Sequence, residues 1–65
     1  MELFNTTGFE VTDKVFTMLD DKKYFGVVLE VDDKRNRIMV DYSAEISRSS
    51  AIDWFDISFW QKVEQ

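Results

Sequence analysis

The sequence predicts an all-β domain: five short strands closing into a small barrel, with one short 3₁₀ turn near the C-terminus. Three observations predict it. Tyr24-Phe25-Gly26-Val27-Val28-Leu29-Glu30-Val31-Asp32 alternates so that Phe25, Val27, Leu29 and Val31 share one face while Glu30 and Asp32 take the other, the pattern of a long half-buried strand. Across the polar turn Asp33-Lys34-Arg35-Asn36, the stretch Arg37-Ile38-Met39-Val40-Asp41-Tyr42 alternates again, with Ile38, Val40 and Tyr42 on one side, so the two form a hairpin. Two Trp, two Tyr and six Phe in 65 residues supply the large apolar side chains that a small core needs.

Each element follows in chain order. Met1 to Thr12 reads as an N-terminal arm, in which Leu3 and Phe4 precede the polar turn Asn5-Thr6-Thr7-Gly8, and Phe9 and Val11 form a short edge strand or pin the arm to the core. Residues 13–63 are the barrel, and 1–65 make one domain. Lys14-Val15-Phe16-Thr17-Met18-Leu19 is rich in strand formers and is the first main strand. Asp20-Asp21-Lys22-Lys23 carries four charges without interruption and is a solvated turn. In the central strand Tyr24, Gly26 and Val28 fall on the outward face, and Gly26 marks a bend. The hairpin's second strand extends past Tyr42 through Ala44 and Ile46, and Arg48-Ser49-Ser50 is a turn. The last fifteen residues admit two readings. A helix would be capped by Ser50 and would gather Ile52, Phe55, Phe59 and Val63 on one face, giving an α+β alternative. It would also leave Trp54, Ile57 and Trp60 spread over the other faces, so a strand over Ile52 to Phe55, a 3₁₀ turn around Asp56 to Phe59 and a final strand over Trp60 to Val63 is preferred.

Composition narrows the function. A chain of 65 residues buries only about 60% of the surface its unfolded form exposes. With no Cys and no His, disulfides, thiolate or imidazole metal sites and the usual nucleophile–base pairs have no residues to use. The expectation is a non-enzymatic protein without cofactor or metal. Asp20-Asp21, Asp32-Asp33 and the set Asp41, Asp53 and Asp56 are read as ordinary turn and surface carboxylates. A net charge of −5 disfavours phosphate-dominated nucleic-acid binding and favours protein partners or cationic ligands. No apolar run approaches the ~20 residues that span a bilayer, and Met1-Glu2-Leu3-Phe4-Asn5 has neither a basic start nor an apolar core, so a cytoplasmic protein is expected.

The order of a Lys14-Val15 strand, a charged loop, the Tyr24-Phe25-Gly26-Val27-Val28 strand, a tight hairpin, the Ile38-x-Val40-x-Tyr42 strand, Asp53-Trp54-Phe55, a one-turn helix and a closing Lys62-Val63 resembles the SH3-like small barrels, the Tudor and KOW-type modules among them. The resemblance covers roughly Asp13 to Val63. It implies binding rather than catalysis: Tudor-like modules hold methylated Lys or Arg in an aromatic cage near the loops, and KOW-type modules bind RNA or proteins. Carried onto this chain, Tyr24 and Tyr42 are the cage positions, Asp41 is the acidic neighbour, and Phe16 or Trp54 would complete the ring set.

Two further surfaces are candidates. Lys34, Arg35 and Arg37 form a basic patch at the central hairpin, and Lys22 and Lys23 join it to collect five of the eight basic residues. Val28 and Met39 point outward on neighbouring strands, with Trp54 or Phe55 beside them, as an apolar interaction face. The expected function is a protein-interaction module, an accessory or regulatory subunit that contacts a protein partner or a second copy of itself through Tyr24, Val28, Met39, Tyr42 and Trp54. The alternative is a nucleic-acid-binding or modified-peptide-binding barrel that uses the loop face.

Overall fold

The computed structural model describes residues 7–45 and 51–63. Five strands form one antiparallel sheet: β1 (Lys14–Leu19), β2 (Lys22–Asp32), β3 (Arg37–Asp41), β4 (Ile52–Asp56) and β5 (Gln61–Lys62). The sheet order is β4-β3-β2-β1-β5, so the first four strands run as a meander and β5 returns to lie against β1. Two 3₁₀ turns punctuate it, Asp33–Arg35 between β2 and β3 and Ile57–Phe59 between β4 and β5. The all-β reading holds, and the C-terminal stretch is strand, 3₁₀ turn and strand, not helix. Leu3, Phe4, Ile46 and the Arg48-Ser49-Ser50 turn lie outside the described residues.

Local chemistry explains the two hairpins. Asp20 and Asp21 both take left-handed backbone, φ 51° and 65°, as a two-residue hairpin turn requires, and Asp tolerates that region better than bulkier residues. Only these two residues turn. Lys22 and Lys23 belong to β2, where they pair with Leu19 and Met18. At the other hairpin the Asp32 carboxylate accepts the Arg35 N–H at 3.3 Å, and Asn36 closes the 3₁₀ turn in left-handed conformation, φ 52°. The β3 strand ends at Asp41, not beyond Tyr42. There the Asp41 carboxylate accepts the Ser43 N–H at 3.0 Å and the Ser43 hydroxyl at 2.7 Å, and this local Asx turn takes the chain out of the ladder.

The core consists of Phe9, Val15, Val28, Ile38, Val40 and Trp60, with Val31, Tyr42, Phe55 and Ile57 packed against it. Phe9 pins the N-terminal segment as expected, without forming a strand, whereas Val11 is exposed. From Tyr24 to Val28 the facing of β2 is the reverse of the sequence expectation: Val28 is 0% exposed, while Phe25 is 46% and Val27 38% exposed. A bulge between Val28 and Glu30 then shifts the phase by one residue, so Val31, three residues after Val28, packs against the core as the sequence reading expects. At Gly26, which is buried, a Cβ would collide with Val40 Cγ1 and would sit 3.2 Å from Asp41 O and 3.5 Å from Trp60 Cη2. Gly26 is therefore the inward point at which neighbouring side chains close over the strand, and Tyr24, Gly26 and Val28 face in with it.

Candidate functional site

One concave site is built from aromatic side chains brought together by three loops. Thr17 and Tyr24 are direct cross-strand partners on the inner face of the β1–β2 hairpin, and Leu19 stands one pleat further on. Tyr42 follows β3, where its N–H donates to Ala51 O at 2.9 Å and its hydroxyl to Asp53 Oδ2 at 2.7 Å. The second 3₁₀ turn is capped by Asp56, whose Oδ2 accepts the Ser58 N–H at 3.0 Å and the Ser58 hydroxyl at 2.6 Å. That turn folds Phe59 back onto Phe55, the two rings stacked at 5.1 Å and 13°. Trp60 meets Phe55 edge-on at 5.3 Å, and Tyr42 meets it edge-on at 5.7 Å. Phe55 is thus the hub of a four-ring cluster of the kind that offset and T-shaped contacts favour. The buried Thr17 hydroxyl donates to Phe59 O at 2.6 Å and fixes the turn to β1.

Between these elements lies a cavity of about 250 Å³, lined by Tyr24, Tyr42, Phe55, Phe59 and Trp60 with Thr17, Leu19 and Glu45. The electrostatics at its rim are acidic. Glu45 reaches it from the turn after β3, and its Oε2 accepts the Phe25 N–H at 2.8 Å. Asp53 stands behind the Tyr42 hydroxyl. Outside the cavity lining, Asp41 and Asp56 are held below the ordinary carboxyl value, chiefly by the side-chain hydrogen bonds of Ser43 and Ser58 and then by the backbone N–H of the same residues, with partial desolvation opposing. Among the described residues, no three acidic side chains converge as a metal site would need. Ring faces with a carboxylate at the edge suit a cation, above all one weakly hydrated enough to sit against π-systems.

The structure places the sequence candidates in three different environments. Tyr24 and Tyr42 are brought together in the cavity. Phe16, Trp54 and Asp41 do not line it; Phe55, Phe59 and Trp60 supply the further rings, and Glu45 is the carboxylate at its edge. Val28 is in the core and contributes to no surface. Met39 and Trp54 are cross-strand partners on the outer face of β3 and β4, and the Arg37 guanidinium lies over the Trp54 ring at 4.5 Å. The basic patch is not a cluster of five: Lys34 is exposed beside Arg35, and the two arginines share a single carboxylate. Arg35 and Arg37 both reach Asp32 Oδ2, at 3.3 and 3.1 Å. Lys22 and Lys23 start the eleven-residue β2 that ends at Asp32, about 30 Å away at the usual rise per residue. Lys23 lies over the Phe16 ring instead, 4.7 Å from its centroid.

The C-terminal rings escaped prediction because the reading of Ile52 to Phe55 as a strand left open whether Trp54 or Phe55 points outward, and only the 3₁₀ turn shows that Phe55, Phe59 and Trp60 wall a cavity. Their density, five aromatic or apolar residues among Trp54 to Trp60, was the available signal. Glu45 had none. Compared with protein-family models, with curated proteins and with solved structures, the chain matches none.

Proposed function

We propose that this chain is a non-enzymatic protein-interaction module of the SH3-like small-barrel type, and that it captures a cationic side chain of a protein partner in the aromatic cavity. The observation that carries this reading is the convergence of Tyr24, Tyr42, Phe55, Phe59 and Trp60 on one hollow with Glu45 at its edge. The sheet order β4-β3-β2-β1-β5, with a 3₁₀ turn just before the last strand, supports the small-barrel reading, because it is the order that a five-strand barrel with a returning final strand adopts. The net charge of −5 supports a cationic partner, since it raises the local concentration of positively charged peptides. The net charge of −5 weighs against nucleic acid, and two of the hairpin cations, Arg35 and Arg37, are engaged by Asp32.

The test is titration calorimetry, with amide and side-chain NMR shifts, against peptides carrying lysine, methylated lysine, methylated arginine or acetylated lysine at one position. The reading expects heat for the cationic forms, shifts centred on Tyr24, Tyr42 and Phe59, and loss of roughly tenfold in affinity in Tyr42→Ala, the scale of one desolvated ring face. Equal binding of the neutral acetylated form, or no shift at those three residues with any peptide, refutes it.

A further inference from the structure

We infer that the outer face of β1 and β2 is an isologous interface for a second copy of this chain. The reversed facing of β2 puts Phe16, Met18, Phe25 and Val27 on the side of the sheet away from the core, with Phe25 46% and Met18 50% exposed. Phe16 and Phe25 are register partners, their ring centroids 6.5 Å apart, so the patch is continuous across both strands. Single exposed apolar residues are ordinary, but a contiguous patch that includes a phenyl ring marks an interaction face.

Three features commit the face to a second copy. Phe25 stands between two open hollows, one bounded by Phe9, Phe16, Lys23 and Gln61 and the other by Lys14, Val27, Asp41 and Ala44. Because Phe25 lies on β2 beside Val27, a two-fold axis along that strand sets the Phe25 of one copy against the Phe25 of the other, the self-contact an isologous patch makes at its axis. The charges have the same property. Val27 pairs with Lys14 on one side and Asp41 on the other, so Lys14, Val27 and Asp41 form a line across the sheet. A copy turned about an axis running along β2 presents that line reversed, and each Lys14 then meets the other copy's Asp41, twice per dimer. The held-down Asp41 carboxyl stays charged at neutral pH for this pairing. Finally, with no Cys and no His these residues have neither a disulfide nor an imidazole or thiolate metal site to reinforce the core, and packing against a second copy buries further apolar area.

The face is distinct from the aromatic cavity: Tyr24 points into the cavity and its neighbour Phe25 points away from it. Dimerisation and peptide capture are therefore separable by experiment. Sedimentation of the full chain up to about 1 mM, where even a millimolar association registers, is expected to show a reversible dimer. Phe25→Asp is expected to weaken it more than about tenfold while leaving the circular dichroism spectrum native, as for a truncated aromatic anchor. Lys14→Asp and Asp41→Lys each set like charges opposite one another and are expected to weaken the dimer severalfold; the double variant Lys14→Asp/Asp41→Lys is expected to restore it. Lys14 is exposed, so its variant carries the test should Phe25→Asp fail to fold. A strict monomer at about 1 mM, a dimer indifferent to Phe25→Asp, or single charge variants that the double does not rescue each overturn the proposal.

Discussion

Gly26→Ala is the substitution that most directly tests how the sheet is built. The backbone at Gly26 is not left-handed, so alanine meets no torsional penalty there and would gain about 0.4–1 kcal/mol by restricting the unfolded chain. Against this, the added methyl collides with Val40 Cγ1 and approaches Asp41 O to 3.2 Å and Trp60 Cη2 to 3.5 Å. Val40 is fully buried and Asp41 O belongs to the backbone of β3, so neither yields cheaply. Overpacking of this kind costs about 1–3 kcal/mol, and the net is a destabilisation of about 1–2 kcal/mol. In a domain of this size that is a large share of the ~3–10 kcal/mol total and lowers Tm by roughly 4–8 °C per kcal/mol. Thermal and urea unfolding followed by circular dichroism read it directly. The diagnostic arm is a double-mutant cycle with Val40→Ala, which removes the colliding methyl: the cost of Gly26→Ala should then fall by at least about 0.5 kcal/mol. If Gly26→Ala is as stable as the parent, or if the cycle shows no coupling, the inward facing of Gly26 is wrong.

Two further outcomes follow from the same contacts. Thr17→Val is isosteric but leaves Phe59 O without the hydroxyl that reaches it at 2.6 Å, so it should cost about 1–3 kcal/mol in urea unfolding and broaden the NMR signals of Ile57 to Trp60. Asp32, Asp41 and Asp56 all titrate below their ordinary value of 3.8; at Asp32 partial desolvation works upward, but the hydrogen bonds from Arg37 and Arg35 outweigh it. Depressed folded-state values mean that the unfolded chain binds more protons, so this stability is present above about pH 4 and is lost as pH falls through the folded values; Asp32→Asn should flatten that acid limb in pH-resolved thermal melts.

The strands were legible because their signals were local. The β1 limits match the run of strand formers from Lys14 to Leu19, and β3 to β5 follow the alternation and the crowding of rings after Ile52. The facing of β2 was not legible. Both sides of that strand carry apolar residues, Phe25 and Val27 on one and Tyr24 and Val28 on the other, so alternation alone does not say which side is buried. A bulge then shifts the phase within it, and a bulge at Leu29 leaves no mark in residue type. The site was half legible for a related reason. Tyr24 and Tyr42 lie at strand ends near loops, where a binding residue is expected. Phe55 and Phe59 enter the cavity only because Asp56 and Ser58 close a turn that stacks two rings four residues apart.

In the proposed function, Glu45 ties recognition to architecture. Its Oε2 accepts the Phe25 N–H on the stretch of β2 that precedes the β3 pairing, which begins at Val27, and the same side chain lines the aromatic cavity. A cation entering the cavity therefore meets a carboxylate that is already fixed in place by the strand, and little side-chain entropy remains to be lost on binding. Glu45→Gln separates the two roles, because the amide oxygen still accepts the Phe25 N–H while the charge is gone. Stability should stay within about 0.5 kcal/mol of the parent, as for a surface change that keeps its hydrogen bond. Affinity for a methylated-lysine peptide should drop severalfold and lose part of its salt dependence, measured by calorimetry at low and high ionic strength. Unchanged affinity and an unchanged salt slope would mean that the rings act alone and that Glu45 serves only the strand.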